Sequence, residues 1–596
     1  MTHRHTTTRP PLFALLLASL LAMLLAGCGM GEGDLSIPVP TETDPDSLRQ
    51  TQLGAVLGGK TADGAFAWRG IPFAAPPVGE LRWRAPQPPT PWEGTREALA
   101  HPPSCTQYQG FDPKDPPLVG QEDCLYLNVF TPAFAPDKVP TGTARLPVLL
   151  WIHGGGNSVG DAMPYDGSIL ARDDNVVVVA VQYRLGPLGW LHHPALALNA
   201  TPEDASGNYG TLDLIAALHW VKKNIADFGG NPDNVTVFGE SAGGRNVYTM
   251  MLSPLAKGLF HRGIAQSGSA GLTPTDEARQ GTGRGGPENT GTRIVERLVP
   301  GVPADDLPAV AQAMRAAPPG AVFQAVTGDR MMGMVSSPRV FADGVVLPKS
   351  TALEAFESGN YNRVPFITGT NRDESKLFQL GDDKLVRWWF GVPIGVRDAD
   401  VYDRDALYGT QFWKLRAVDE PARHMRKAQG PSVYAYRFDW DEEPSILWLD
   451  FSQLLGAAHA LEIPFVFGSY NLGPLTPAVF DEDNAKGREE LGRQMRSYWV
   501  EFARTGDPGR GTDGDLPQWG AFRNGDADAP RLLILDTEQD GGVRMSPHRL
   551  NQESVLAAIA SDPRFADSAE RCAFLKEVRA SEGGLTEADL RDGGCE

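Results

Sequence analysis

Asn234-Val-Thr-Val-Phe-Gly-Glu-Ser-Ala-Gly-Gly244 is the stretch on which the fold turns. Val235–Phe238 is a short β-branched and aromatic run with the length of a buried strand, and Ala242–Leu252 reads as a helix. Between them stands Gly-x-Ser-x-Gly, the nucleophile-elbow pattern. Small residues two before and two after Ser241 allow a tight strand-to-helix turn that exposes the hydroxyl. The same turn puts Ser241 at a helix N-terminus, where N–H groups and the helix dipole favour developing negative charge. A lone Gly-x-Ser-x-Gly also occurs by chance as a simple turn. The strand–turn–helix context argues for the elbow.

Outward from this point, further apolar runs have the length of fully buried strands: Pro147–Ile152, Asn175–Val181, Gly263–Gln266, Val364–Thr368 and Val433–Phe438. Helical patterns lie between several of them. Leu212 to Phe228 sets Leu212, Ile215, Leu218 and Ile225 near one face, and Gly487 to Arg504 ends at Gly506-Asp-Pro508. This alternation predicts an α/β fold with a large, mostly parallel sheet covered by helices on both faces. The polar, Gly-rich stretch from about 271 to 293 reads as a surface loop or lid segment.

His153-Gly-Gly-Gly156 directly follows the strand ending at Ile152. A Gly-rich turn there aims backbone N–H groups at one point, the HGGG-type oxyanion pattern. It lacks the Lys-Ser/Thr ending of a phosphate loop. A serine alcohol needs a base. The chain order Ser…acid…His leaves His424, His459 and His548 of eleven histidines. His459 lies in Gly456-Ala-Ala-His-Ala-Leu-Glu462, a small-residue loop before apolar packing, whereas the other two have charged or turn-like, solvated surroundings. The acid is expected after the strand Val364–Thr368, where Asp373 and Glu374 stand side by side; order alone does not separate them.

The N-terminus follows a different logic. Residues 1–27 combine a basic start with the apolar run Leu12–Leu25 and read as a signal peptide. The five cysteines are an odd number, which is awkward in an oxidising compartment. With Cys28 set aside, proximity suggests Cys105–Cys124 and Cys572–Cys595 out of three connectivities, with a free Cys572 and Cys595 as the alternative. Residues 28–48 read as a flexible tether and 49–596 as a single domain. The 596-residue chain carries a net charge of −20 and no concentrated basic face, which argues against nucleic acid as partner. No CxxC or His/Cys cluster points to a metal.

Several motifs carry a resemblance. They are Gly70-Ile-Pro-Phe-Ala-Ala-Pro-Pro-Val-Gly-Glu-Leu-Arg82, Glu122-Asp-Cys-Leu-Tyr-Leu-Asn-Val129, Tyr183-Arg184, Asn208-Tyr-Gly-Thr-Leu-Asp213, the elbow, Gln266-Ser-Gly-Ser269, and the Glu374 and His459 segments. From about Gly54 to Pro508 the chain resembles the type B carboxylesterase (cholinesterase-like) family of α/β-hydrolases. The resemblance implies that Glu374 is the acid, with Asp373 its companion. It implies oxyanion donors at the N–H groups of Gly155, Gly156 and Ala242, and supporting places behind the triad for Glu240, Ser267 and Glu462. It also implies the Cys105–Cys124 disulfide and ion pairs Arg82–Glu122 and Arg184–Asp213. Leu25-Ala-Gly-Cys28 resembles the bacterial lipobox, implying cleavage before Cys28, lipid on its sulfur and a place in the cell envelope; Gly29 favours the outer membrane.

The sequence departs from the family in three places. Segment 106–123 has no tryptophan where cholinesterases bind choline, Asn157 replaces an aromatic after HGGG, and Ser375 replaces the glycine after the acid. The expected activity is a serine carboxylesterase acting on a small-molecule ester through an acyl-enzyme, with no metal or organic cofactor. Phe378 is expected as an apolar wall of the pocket and Lys376 at its entrance. Two alternatives stand beside this reading. One is a surface binding protein on a dead hydrolase scaffold, although every catalytic part is retained. The other is a hydrolase of an amide, carbamate or large toxin ester, for which the same machinery would serve.

Overall fold

The structure is a computed structural model that describes residues 39–595, apart from 111–113, 115, 281–286, 329, 390–391, 526–527 and 583–584. The expected signal peptide, Cys28 and most of the tether lie outside the described residues. Eleven strands form the central sheet: β1 (Gly59–Lys60), β2 (Phe66–Pro72), β3 (Tyr126–Thr131), β4 (Leu146–Ile152), β5 (Val177–Val181), β6 (Gly230–Glu240), β7 (Arg262–Gln266), β8 (Phe366–Asn371), β9 (Val433–Phe438), β10 (Leu532–Leu535) and β11 (Arg544–Ser546). Their spatial order is β11-β10-β9-β8-β7-β6-β4-β5-β3-β2-β1. The strands from β4 to β10 are mutually parallel; at the two edges the neighbouring pairs β5–β3, β3–β2, β2–β1 and β10–β11 are antiparallel.

The period-2 alternation of side chains divides the core. Leu150, Ile152, Val177, Val179 and Val237 enter the cluster on one face, covered by α1 (Tyr209–Asn224) and α2 (Ala242–Leu252). Leu149, Trp151, Val178, Ala180 and Phe238 enter the other, covered by the helix Ala485–Thr505. With both faces buried, these strands are apolar throughout rather than alternating. The helix Ala485–Thr505 stops as its sequence foretells: Gly506 adopts φ +85° and its N–H bonds the Phe502 carbonyl at 2.8 Å.

Two expectations are corrected. Within 271–293, Thr275–Gln280 is a helix with Asp276 and Glu277 in its first turn, and a second helix, Gly291–Leu298, is capped by the Thr290 hydroxyl. The tether ends before residue 48. Pro45–Ser47 forms a turn in which Ser47 is fully buried, its hydroxyl donating to the Gly58 carbonyl and its own carbonyl accepting from Trp68 Nε1. Both disulfides, Cys105–Cys124 and Cys572–Cys595, are formed.

Candidate active site

Ser241, Glu374 and His459 come together at the C-terminal ends of the parallel strands, where open α/β sheets build their sites. Ser241 sits between β6 and α2 with φ +57° and ψ −118°, a backbone strain that costs about 1–3 kcal/mol and is held by its surroundings. Its N–H bonds the Gln266 carbonyl at 2.9 Å. The flanking glycines are required sterically: a Cβ at Gly239 would lie 2.5 Å from the Ile152 carbonyl oxygen, and one at Gly243 would overlap that oxygen outright.

His459 Nδ1 lies 2.5 Å from Glu374 Oε2. The other oxygen of Glu374 accepts from the Asn371 N–H at 2.7 Å and the Thr370 hydroxyl at 2.8 Å, so the carboxylate is pinned and wholly buried. Asp373, left open as the acid by sequence order, faces elsewhere. Its Oδ2 accepts from the Ala457 N–H at 3.1 Å and pairs with Arg372 at 2.9 Å, tying the base loop to the acid loop. His424 is half-buried beside Glu357, and His548 is exposed; neither approaches Ser241.

His459 Nε2 meets Glu240 Oε1 at 3.1 Å. Glu462 Oε1 accepts from Gln266 Nε2 at 3.2 Å and its Oε2 from Asn371 Nδ2 at 2.7 Å. Three buried carboxylates therefore surround one imidazole. Burial pushes the Glu240 carboxyl up, and the nearby Glu462 and Glu374 add to this. Burial opposes charge on His459, but Glu240 and Glu374 outweigh it, and the imidazole is raised above its ordinary value.

The Gly-rich turn expected to form the oxyanion hole follows β4. Gly155 and Gly156 adopt φ +89° and +61°, and a Cβ at Gly155 would strike the Val159 carbonyl. The N–H of Ala242 opens α2 beside the nucleophile. His153 stacks on Tyr183 at 4.4 Å, and Tyr183 Oη donates to the His153 carbonyl at 2.8 Å. Asn157, in place of an aromatic, is buried, and its Oδ1 accepts from Asn246 Nδ2 at 2.8 Å. The two ion pairs are bidentate: Arg82–Glu122 at 2.5–2.6 Å and Arg184–Asp213 at 2.7–2.8 Å.

Phe378 forms an apolar wall, its ring 5.3 Å from that of His459. Lys376 does not face the entrance. It is buried, with Nζ 3.5 Å from Asp403 and 6.0 Å from the Tyr402 ring, because an ammonium seeks its nearest carboxylate and aromatic face. Two residues that sequence reasoning missed line the site. Trp413 sets its ring 4.9 Å from His459 and donates Nε1 to the Ser267 carbonyl at 3.1 Å. Met334 abuts the oxyanion loop: a Cβ on Gly156 would meet its sulfur at 2.8 Å. Neither sits in a recognisable motif. Among the described residues no group of three His, Cys, Asp or Glu side chains is arranged to hold a metal.

The model of the carboxylesterase family matches residues 45–386 and 399–554. Para-nitrobenzyl esterase of Bacillus subtilis (strain 168) is 36% identical over 521 residues, covering 82% of this chain and 94% of that protein. Carboxylesterase 1D of Rattus norvegicus is 34% identical over 577 residues, 89% and 95% respectively. Fumonisin B1 esterase of Sphingopyxis macrogoltabida is 35% identical over 514 residues, 82% and 87%. A solved PNB esterase superposes with a TM-score of 0.65 at 30% identity, covering 84% of this chain and 97% of that one.

Proposed function

The chain belongs to the carboxylesterase family, and from that premise we propose that it hydrolyses uncharged carboxylic esters with Ser241 as nucleophile, His459 as base and Glu374 as the group that orients the base. The observation that carries this reading is the pinned Glu374 carboxylate 2.5 Å from His459 Nδ1, in a loop register that also brings the imidazole against the elbow. Glu374 holds Nδ1–H, so Nε2 presents its lone pair. Nε2 takes the Ser241 hydroxyl proton as Oγ attacks the ester carbonyl. The oxyanion that forms is met by the N–H groups of Gly155, Gly156 and Ala242. Collapse expels the alcohol, which takes the proton from His459, and leaves an acyl-Ser241. Water, deprotonated by the same imidazole, releases the carboxylic acid and restores the serine.

The strained Ser241 backbone supports this assignment, as do Glu240 and Glu462, whose carboxylates favour the charged imidazole. The similarity to a fumonisin B1 esterase keeps large toxin esters in the substrate panel beside para-nitrophenyl and para-nitrobenzyl esters. The test is pre-steady-state mixing with p-nitrophenyl butyrate. One equivalent of p-nitrophenol per chain in a burst is expected. Its absence at saturating substrate, with slow linear release alone, would count against an accumulating acyl-enzyme.

The mature protein is further proposed to begin at a lipid-modified Cys28 and to sit in the bacterial cell envelope, on the outer membrane. The support is the Leu25-Ala-Gly-Cys28 sequence together with the pairing of the other four cysteines, which leaves Cys28 as the remaining thiol. Among the described residues no helix is long and apolar enough to cross a membrane. Intact-mass measurement is expected to find a diacylglyceryl or triacyl Cys28, and Cys28→Ser to move the protein out of the membrane fraction. An unmodified N-terminus elsewhere would contradict the anchor.

A further inference from the structure

The last helices, α4 (Gln552–Ser561), α5 (Ser568–Glu582) and α6 (Glu587–Asp592), begin where the family match ends at residue 554, and Cys572–Cys595 staples them together. Their apolar side chains, among them Leu556, Ile559 and Leu575, share one cluster with Tyr408, Phe412 and Leu415. The first two belong to α3 (Ala399–Lys414), and Leu415 opens the wider π-type turn Leu415–Asp419 that continues it. Polar contacts fix this seat. Tyr408 Oη donates to Asp562 Oδ2 at 2.8 Å. Arg404, almost wholly buried, donates to the Arg564 carbonyl at 2.8 Å and to Glu570 at 2.9 Å, with its guanidinium carbon 3.9 Å from the centre of the Phe565 ring.

The opposite face of α3 is turned to the triad, as helical spacing requires for residues out of phase with 404, 408 and 412. Tyr402 Oη donates to the Leu454 carbonyl at 2.8 Å, just ahead of the base loop. Thr410 Oγ1 accepts from the Ser375 N–H at 3.2 Å, next to the acid. Trp413 packs against His459 and Phe378 and is held by the Ser267 carbonyl. One helix thus touches the C-terminal appendage on one side and the loops of both acid and base on the other.

We propose that Tyr408, seated by the disulfide-stapled C-terminal helices, is a positioning residue for the esterase reaction: it sets the register of α3 so that Trp413 covers the His459 imidazole. The proposal rests on the triad reading above. Displacing Trp413 admits water to the imidazole–Glu374 pair and loosens the ring that must take the Ser241 proton. Attack and deacylation both use that ring, whereas ground-state binding of a small ester does not. The expected signature is therefore a fall in kcat with KM nearly unchanged.

The experiment is a double-mutant cycle on the full chain with p-nitrophenyl butyrate, with circular dichroism as a check on folding. Tyr408→Phe keeps the ring and removes the hydroxyl that bonds Asp562 and Arg564, and Cys572→Ser/Cys595→Ser opens the staple. Each is expected to lower kcat about three- to tenfold and to change KM less than twofold. Trp413→Ala is expected to lower kcat at least as much, and Trp413→Phe to restore most of it. In the Trp413→Ala background the appendage variants are expected to cost almost nothing more, because they act through the ring already removed. Additive losses, a change confined to KM, or wild-type kcat in Tyr408→Phe would overturn the proposal. If the cysteine variant does not fold, the Tyr408→Phe cycle decides. Ser241→Ala run alongside separates the two readings: activity surviving that change defeats the triad assignment itself, whereas its loss with additive appendage effects defeats only this inference.

Discussion

Glu374 and Asp373 are neighbours in sequence and do different work because β8 ends at Asn371 and the turn that follows aims them apart. One carboxylate is fixed on the imidazole; the other holds the base loop through the Ala457 N–H. Glu374→Gln is expected to lower kcat about 10⁴-fold, since an amide cannot compensate the imidazolium and permits the wrong tautomer. Asp373→Asn is expected to leave kcat within about tenfold and to lower stability by about 1–3 kcal/mol, read by urea unfolding. The reverse order would move the acid to Asp373. Glu240 carries a second consequence. The base must be neutral to accept a proton, and Glu240 favours its charged form. Glu240→Gln therefore lowers the His459 pKa, and the acidic limb of the kcat/KM profile is expected to move to lower pH. An unmoved or upward-shifted limb would remove Glu240 from the electrostatics of the base.

The elements around the site differ in how plainly the sequence announces them. β4, β5 and β6 are readable because strands buried on both faces must be apolar throughout. The elbow and the oxyanion turn are readable because only glycine fits where a Cβ would strike the Ile152 or Val159 carbonyl. That steric claim is testable: Gly243→Ala is expected to destabilise the protein by about 3 kcal/mol or prevent its folding, measured by denaturant unfolding or soluble yield. Trp413 was not readable, because α3 shows only ordinary amphipathic spacing and meets His459 through tertiary packing. Lys376 departs from its expected place at the entrance for the same reason: nothing local reveals that Asp403 and Tyr402 wait on a later helix. In the disulfide-bounded segment, Tyr108 already carries the Arg330 guanidinium 4.5 Å from its ring centre. That aromatic face is occupied, and by a cation that repels another. Butyrylthiocholine is accordingly expected to show a lower kcat/KM than a neutral butyrate ester; a clear preference for the choline ester would require an aromatic partner from another segment.

At the scale of the whole molecule, a mixed eleven-stranded sheet presents one functional edge, and the antiparallel strands at its flanks enlarge the scaffold without entering the site. The short edge strands Gly59–Lys60 and Arg544–Ser546 escaped sequence reading, having little apolar content to mark them. Ser241, Glu374 and His459 lie far apart along the chain; the order Ser…acid…His and the strand ends narrow the acid to Asp373 or Glu374, and the family resemblance singles out Glu374. What holds them in register is spread across the molecule: the Gln266–Glu462–Asn371 bonds behind the imidazole, and α3 beside it. Every step of the proposed reaction depends on Ser241 being the nucleophile. The most direct measurement is labelling of the full chain with a fluorophosphonate, followed by peptide mapping. One label per chain is expected, on the peptide containing Ser241, with none in Ser241→Ala and parallel loss of ester turnover by about 10⁴–10⁶-fold. A label on another serine, or full labelling of Ser241→Ala, would contradict it.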